Sequence, residues 1–335
     1  MSATKILFYL LLFAVIFLGL IYLRFGNKTF DVLQNLTADI LPEEGPPTSF
    51  EALGQQQQTF ANESTSTHEL LFPNMRWAKM PIKFFIDTES CKSDTIKDMN
   101  DAAAIWQNDT QGTISFLFVN NSADAQVNVQ CERKLSREKE GRVIIETIGE
   151  TRPRVINTGL YNLTIEAEVA FLIRSVQCIQ PIVHLHELGH VLGLGHNENP
   201  KSIMYQYESC DQKITSDIVS TLKELYRDPP LADLYFKNMT AVKSGRYANF
   251  TFSIFNQGIA DSPTTKTVIL DGTYEIYSID VKNLAPGTGW FFSLSNILIR
   301  SDFTNVSIAV DPKNEINELN KQNNVVILSK SSDLP

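Results

Sequence analysis

The sequence predicts an α+β domain followed by an all-β sandwich, both behind an N-terminal transmembrane helix. Three observations carry this prediction. An apolar run without a charge covers residues 6–23. Between residues 73 and 228, β-rich segments alternate with segments of helical periodicity. Beyond Pro229-Pro230, short β-rich runs are separated by Gly, Pro and Asp-Gly turn signals, as in a sandwich. We therefore divide the chain into an anchor (1–25), a flexible stem (26–72) and two folded domains (73–228 and 231–330).

The apolar run indicates a membrane anchor. Eighteen residues span about 27 Å as a helix, close to the hydrocarbon thickness of a bilayer. A cleaved signal peptide has a shorter apolar core and a small-residue cleavage site, and the end of this run at Leu23-Arg24 offers none. Secretion after cleavage remains the alternative. Lys5 lies on one side and Arg24 and Lys28 on the other, so flanking charge leaves the orientation open.

Composition points to the outside of the cell. The net charge is −9 and no basic stripe is present, which argues against nucleic acid as the main partner. The four cysteines all follow the apolar run, which fits an oxidising compartment. N-x-[ST] sequons exceed the roughly three expected by chance and indicate a glycoprotein. They begin at Asn27, Asn35, Asn62, Asn108, Asn120, Asn162, Asn238, Asn249 and Asn305.

The first domain is predicted to contain a β-sheet and helices. β-forming residues predict strands within 80–87, 114–119, 127–131, 142–148 and 165–173. Helical spacing predicts a helix containing Ile96 and Trp106. A second helix begins near Pro181, a residue suited to the first turn, and Ser216 is the predicted N-cap of a closing helix.

The chemistry is concentrated in H-E-L-G-H-V-L-G-L-G-H, residues 186–196. His186 and His190 lie four residues apart, so one helical turn brings both imidazoles to one face. Gly193 can end the helix with a positive φ, and the turn brings His196 back as a third ligand. Three histidines leave a fourth zinc position open, as in catalytic sites. Glu187 is placed to take the proton of a water molecule there.

His184 is expected to lie apart from this cluster, because two residues of helix turn it to nearly the opposite side. We interpret it as a structural or solvent-facing residue. The same reading of His186 and His190, as histidines satisfied within a buried helix, is the alternative to a metal site.

The motif, followed by Ser202-Ile203-Met204-Tyr205, resembles the metzincin metalloproteases, and L-G-L-G-H before S-I-M-Y is most similar to their matrixin branch. The resemblance implies a twisted mixed sheet with helices, zinc on His186, His190 and His196, and Met204 as the floor beneath the metal. Asn197 departs from the serine usual in matrixins. Gln206 stands where astacin-like relatives have a tyrosine ligand, so no tyrosine ligand is expected. Matrixin-type latency uses a propeptide cysteine, and no cysteine precedes Cys91.

The cysteines allow three pairings. If the strands ending near Cys91 and Cys131 are parallel and adjacent, their ends meet and a disulfide can form. Cys178 and Cys210 would then pair and join the two zinc-binding segments. A four-cysteine metal site is the rival, but no C-x-x-C spacing supports it.

The second domain resembles CARDB modules, which are immunoglobulin-like, through Val310-Asp311-Pro312-Lys313 and the Asn-rich segment near Asn323. Calcium is possible but not indicated by a clear motif. Asp311, Glu315 and Glu318 are candidate ligands, although solvated loop carboxylates are the preferred interpretation. The C-terminal domain is expected to bind a surface protein or glycan.

Together these features predict a membrane-anchored extracellular zinc endopeptidase that acts on protein or peptide substrates, with Glu187 as general base. Two alternatives remain at this point. One is a cell-surface adhesion or binding protein with a non-catalytic zinc site. The other is a zinc enzyme acting on non-peptide bonds, for which no sugar- or phosphate-binding signature is seen.

Overall fold

The structure, a computed structural model, describes residues 48–53, 68–132, 136–139, 142–146, 149–172, 178–300 and 306–330. The predicted anchor at residues 6–23 lies outside these ranges. Within them, no helix is long and apolar enough to cross a membrane.

Sixteen strands and three α-helices are described, in addition to a single 3₁₀ turn. The strands are β1 Thr48–Leu53, β2 Met75–Trp77, β3 Ile82–Ile86, β4 Phe116–Phe118, β5 Val127–Glu132, β6 Ser136–Lys139, β7 Arg142–Glu146, β8 Gly149–Asn157, β9 Asn162–Leu172, β10 Leu234–Ser244, β11 Tyr247–Asn256, β12 Thr265–Asp271, β13 Tyr274–Val281, β14 Gly289–Leu298, β15 Val306–Val310 and β16 Val325–Lys330. The helices are α1 Ser93–Asp109, α2 Ile182–Val191 and α3 Ser216–Leu225.

The first domain is a six-stranded mixed sheet covered by helices. The strand order is β2-β9-β5-β3-β4, with parallel pairings along this path. β8 pairs antiparallel with β9 along nearly its whole length. Apolar residues alternate inward along β3 and β5, which is why these strands have one buried face. That face packs against α1 and α2 in a single core.

Two indole side chains fix α2 in this core. Trp106 of α1 donates from Nε1 to the carbonyl of Leu185, 3.0 Å away. Trp77 of β2 donates from Nε1 to the carbonyl of Val191 at 2.8 Å. Both rings are fully buried. The helix is therefore tied to α1 and to the sheet by hydrogen bonds as well as by apolar contacts.

Two parts of the sheet differ from the sequence prediction. The segment predicted as strand 142–148 is β7, and it pairs with β6 in a separate two-stranded sheet. β6 and β7 are separated by only two residues, so they pair with each other as a hairpin. β8 was not predicted, because its polar residues and Pro153 give no β signal. Proline is tolerated there because β8 is an edge strand.

The second domain is a β-sandwich. β13, β12, β15 and β16 form one half, and β10, β11 and β14 form the other. Phe236, Phe250 and Phe252 from one half share a core with Ile269 and Ile308 from the other. β1 lies between β10 and β16 and is antiparallel to both, so it joins the halves into one curled sheet.

β1 and the segment from His68 onward both fall inside residues 26–72, for which composition predicts a flexible stem. The structure differs there: β1 is a strand of the sandwich, and His68 is almost fully buried. Composition was misleading because these short stretches are ordered by partners that lie far away in sequence.

The two domains share a small apolar cluster. Leu160, Tyr161 and Leu163, at the turn between β8 and β9 and the start of β9, pack with Ile259 of the sandwich. Thr158 also donates from Oγ1 to the carbonyl of Gln257 at 2.8 Å. The sandwich therefore contacts the turn of the β8–β9 hairpin.

Candidate metal centre

Helix α2 carries the first two predicted ligands on one face. Pro181 precedes its first residue, and the helix ends at Val191. Gly193 then adopts φ +93°, as the motif predicted, and its N–H bonds the carbonyl of His190 at 3.0 Å. A Cβ at Gly193 would lie 3.0 Å from Cγ of Met75, so the turn also needs the small residue for space. The chain then reverses toward His196.

The three histidines converge. Nε2 of His196 lies 3.1 Å from Nε2 of His186 and 3.2 Å from Nε2 of His190. Nitrogen atoms of all three rings lie within 4.8 Å of one another. His186 is buried, His190 is intermediate and His196 is exposed, so the cluster is open to solvent on the His196 side.

The donor chemistry of the cluster fits zinc. Nδ1 of His186 lies 2.7 Å from the carbonyl of Ile203, and Nδ1 of His190 lies 2.8 Å from the carbonyl of Leu194. Carbonyl acceptors require the proton on Nδ1, so the lone pair that can bind a metal is on Nε2 of each ring. Burial also lowers the pKa of His186 to about 4, so this ring is neutral at physiological pH. Three ring nitrogens directed at one point are the donor arrangement of a zinc site.

Met204 lies beneath the helix that bears the ligands. It is fully buried, and its carbonyl accepts the N–H of Asn197 at 3.0 Å. A Cβ at Gly189 of α2 would lie only 2.2 Å from Sδ of Met204. The Met-turn is therefore in direct contact with α2, between the two ligands that this helix provides.

Glu187 faces strand β8. It is 5% exposed, and Thr151 donates from Oγ1 to Oε2 of Glu187 at 2.6 Å. Oγ1 of Thr151 also lies 3.2 Å from the main-chain carbonyl of Glu187. A Cβ at Gly149 would lie 2.5 Å from Oε1 of Glu187. Neither Gly149 nor Thr151 was identified from the sequence, since β8 itself gave no signal.

His68 is a third residue of the site that was not identified from the sequence. It is 3% exposed, and its Nε2 lies 3.0 Å from the carbonyl of Gly195. Nδ1 lies 3.2 Å from Nδ2 of Asn197 and 3.4 Å from Oδ2 of Asp217. His68 therefore holds the residues on either side of His196. Its polar sequence surroundings provide no signal that could have identified it.

His184 lies apart from the cluster, as predicted. Its ring packs against Phe171 with centroids 4.3 Å apart, and Nδ1 is 4.0 Å from Oδ2 of Asp98. Burial lowers the pKa of His184 to about 4. The residue is structural, filling the space between α2 and the sheet.

Both expected disulfides are present. β3 and β5 are parallel neighbours, and the residues that follow or end them are joined as Cys91–Cys131. The second disulfide, Cys178–Cys210, connects the approach to α2 with the segment after the Met-turn. No free cysteine occurs in the described ranges, where all four cysteines lie.

The calcium candidates are not solvated carboxylates, except for Glu315. Asp311 and Glu318 are buried, while Glu315 is exposed. Asp311 accepts the N–H groups of Glu315 and Ile316 at 3.1 and 2.9 Å, and Glu318 accepts that of Leu234 at 2.6 Å. The interpretation as solvated loop carboxylates was therefore wrong for Asp311 and Glu318. Asp311 binds backbone N–H groups close to it in sequence, and Glu318 binds one that is distant in sequence. Among the described residues, the His186, His190 and His196 group is the one cluster arranged for a metal ion.

Comparison with known families agrees with this geometry. The matrixin peptidase model matches residues 76–227, and the CARDB model matches residues 231–327. No curated protein sequence matches. A crystal structure of a CARDB domain from Pyrococcus furiosus, in complex with di-metal ions, is 19% identical and covers 30% of this chain and 88% of its own, with TM-score 0.25. A solution NMR structure of a Methanosarcina acetivorans domain is 22% identical and covers 31% and 95%, with TM-score 0.25.

The fold and the histidine cluster thus define a mixed-sheet domain with a candidate zinc site, joined to a β-sandwich. The chain carries a matrixin domain at residues 76–227 followed by a CARDB domain at residues 231–327.

Proposed function

We propose that this protein is a zinc-dependent endopeptidase that hydrolyses peptide bonds in protein substrates. The observation that carries the proposal is the convergence of the three Nε2 atoms in a cluster that opens to solvent at His196. A structural zinc site is closed by four protein ligands, whereas three ligands beside an open side are typical of catalysis. His186, His190 and His196 would hold the metal.

Bound zinc would polarise the scissile carbonyl and lower the pKa of water to near neutrality. The protein's own acid–base group is Glu187, adjacent in sequence to a ligand and held at its carboxylate by Thr151. Its carboxylate takes a proton from the attacking water and gives it to the nitrogen of the leaving amine. Glu187 is 5% exposed, so its carboxylate is largely shielded from bulk solvent.

Strand β8 is suited to hold an extended substrate. It pairs with β9 on one side, and no other strand of the described residues pairs with it. β8 packs directly on α2. A free strand edge binds an extended peptide through main-chain hydrogen bonds. The substrate class supported best is therefore a protein segment in extended conformation, lying along β8 beside the metal centre.

The test is Glu187→Gln in the full chain, with casein digestion and zinc content as readouts. We expect unchanged zinc content and a rate lower by about 10² or more, because a positioned acid–base group contributes at least this factor. Glu198→Gln, an exposed position close to the third ligand, is the matched control and should remain active. Wild-type turnover by Glu187→Gln would remove Glu187 from the mechanism.

A binding protein with a non-catalytic zinc site is the second candidate, supported by the CARDB domain, a module of protein-binding type. The same assay separates the two functions. Zinc-loaded wild-type protein that digests no casein, with or without chelator, would favour the binding protein.

We also propose that the domains face the outside of the cell and that residues 6–23 anchor them. Two disulfides and exposed sequon asparagines support this location. The asparagines that are exposed are Asn108, Asn120, Asn238 and Asn249. Asn162 differs, because its side-chain amide donates to the carbonyl of Pro73 at 2.7 Å. Protease treatment of intact cells should degrade the ectodomain; full protection would contradict the proposal.

A further inference from the structure

Strand β8 meets the carboxylate of Glu187 at two successive inward positions. Gly149 and Thr151 are two residues apart, so they project to the same face of the strand. Thr151 donates to Oε2 of Glu187 at 2.6 Å. The space where Gly149 would carry a Cβ is occupied by the other carboxylate oxygen, since that Cβ would be 2.5 Å from Oε1.

Both contacts restrict the same side chain in different ways. The hydroxyl of Thr151 attracts Oε2, and the absence of a side chain at Gly149 leaves room for Oε1. Cγ and Cδ of Glu187 would lie 2.7 and 2.8 Å from a Cβ at Gly149, so an alanine there would displace the whole carboxyl group. Gly149 has no positive φ that would require glycine for backbone reasons. Its role at this position is the space that it leaves.

The hydroxyl of Thr151 has a second acceptor available. It lies 3.2 Å from the main-chain carbonyl of Glu187 as well as 2.6 Å from Oε2. A hydroxyl has one proton and two lone pairs. It can therefore donate to the carboxylate oxygen or to the main-chain carbonyl of the same residue. Thr151 therefore contacts Glu187 at both its side chain and its backbone.

We propose that Gly149 and Thr151 form a seat that positions the Glu187 carboxylate for catalysis, with Thr151 as a positioning residue for the general base. This inference rests on the proposed peptidase function. β8 would then have two roles: it would bind the substrate along its edge, and it would position the general base Glu187.

The test compares Thr151→Val with Thr151→Ser in the full chain. Valine keeps the shape and β propensity of threonine and removes only the hydroxyl, whereas serine retains the hydroxyl. We expect Thr151→Val to lower kcat about tenfold with KM within about twofold, because an orientation lost at the proton-transfer step affects kcat. Thr151→Ser should keep near wild-type kcat, and the zinc dissociation constant from chelator competition should be unchanged in both.

Gly149→Ala is the second variant, and it acts through the other oxygen. Gly149→Ala should lower kcat at least as much as Thr151→Val does, and its zinc affinity should equal that of the wild type. A crystal structure of each variant gives a readout independent of activity: the Glu187 carboxyl group should leave its wild-type position. The proposal is overturned if Thr151→Val has wild-type kcat, or if the carboxyl group stays in place in both variants. Zinc-loaded wild-type protein without peptidase activity would instead contradict the proposed function, and the crystal structures would still test the seat.

Discussion

Nε2 of His68 lies 3.0 Å from the carbonyl oxygen of Gly195, the residue directly before the third ligand. Around this contact, the N–H of Gly195 donates to the carbonyl of Glu69 and the N–H of Leu71 donates to the carbonyl of Gly193, both at 2.8 Å. The segment 68–71 is therefore paired with the turn that brings His196 into the cluster. The matrixin family match begins only at residue 76, after this segment.

His68→Ala should weaken zinc binding. Groups that orient metal ligands typically contribute 10–100-fold in metal affinity, and His68 acts on the backbone of the ligand turn, so we expect about a tenfold increase in the zinc dissociation constant. Chelator competition measures it. Glu198→Ala, exposed on the same loop, is the control and should bind as the wild type does. Equal affinity of His68→Ala and the wild type would show that the turn is held without this contact.

Gly189→Ala tests the contact between α2 and the Met-turn. Alanine in a helix interior ordinarily stabilises by about 1 kcal/mol relative to glycine. Here the added Cβ would lie 2.2 Å from Sδ of Met204 and 3.5 Å from Cζ2 of Trp106. Overpacking costs typically about 1–3 kcal/mol, so we expect net destabilisation.

Met204→Ala provides the matched background for this variant. Without the thioether, the nearest remaining side chain to the Cβ of Gly189→Ala is Trp106 at 3.5 Å, an ordinary van der Waals distance, so the helix-propensity gain should reappear. The measurement is a double-mutant cycle of unfolding free energies in urea. Additive effects of the two substitutions would contradict direct contact between Gly189 and Met204.

Much of the metal centre could be predicted from the sequence, because its ligands lie close together along the chain. His186 and His190 are fixed by one helical turn, and Gly193 supplies the positive φ that reverses the chain. The residues that support the site were not predictable in this way. Thr151 lies on an edge strand without a hydrophobic pattern, and His68 acts across 127 residues of sequence. Such contacts are set by tertiary packing, which single-residue propensities do not encode.

In the fold, too, local features could be predicted from the sequence and long-range pairings could not. β5, with its alternating apolar face, was predicted at 127–131, within one residue of its observed bounds Val127–Glu132. β1 was not, because its partners β10 and β16 belong to the far end of the chain. No sequence periodicity within residues 26–72 predicts the pairing of β1 with β10 and β16. The predicted domain limits remain a prediction, whereas the elements themselves are described by the structure.

Ile259→Asp should uncouple the two domains. Ile259 is 1% exposed and belongs to the cluster with Leu160, Tyr161 and Leu163 rather than to the core of the sandwich. A buried unpaired charge there should cost several kcal/mol of interface stability. We expect calorimetry to show more widely separated unfolding transitions of the two domains. Tyr274→Ser, at an exposed position of the sandwich, is the control and should leave the transitions as they are.

Asp233 makes the stability of the sandwich depend on pH. It is 1% exposed, and burial raises its pKa from 3.8 to about 6, against the opposing effect of hydrogen bonds from Asn323 and Gln257. A carboxyl group with a raised folded-state pKa favours the protonated form. Its contribution is therefore fully present below about pH 4 and is lost as pH rises through about 6. Since one pKa unit corresponds to about 1.4 kcal/mol, the shift from 3.8 to about 6 gives a loss on the order of 3 kcal/mol by pH 7.

Asp233→Asn removes this titration and keeps an oxygen that accepts from Asn323, whose Nδ2 lies 2.7 Å from Oδ1 of Asp233. We expect the variant to stabilise the sandwich more at pH 7 than at pH 5, measured as the shift of its calorimetric transition. Asp261→Asn, an exposed position in the same domain, is the control and should show no comparable difference between the two pH values. A shift of Asp233→Asn that is equal at both pH values would mean that the carboxyl group is ionised in the folded protein throughout this range, and that the hydrogen bonds from Asn323 and Gln257 outweigh its burial.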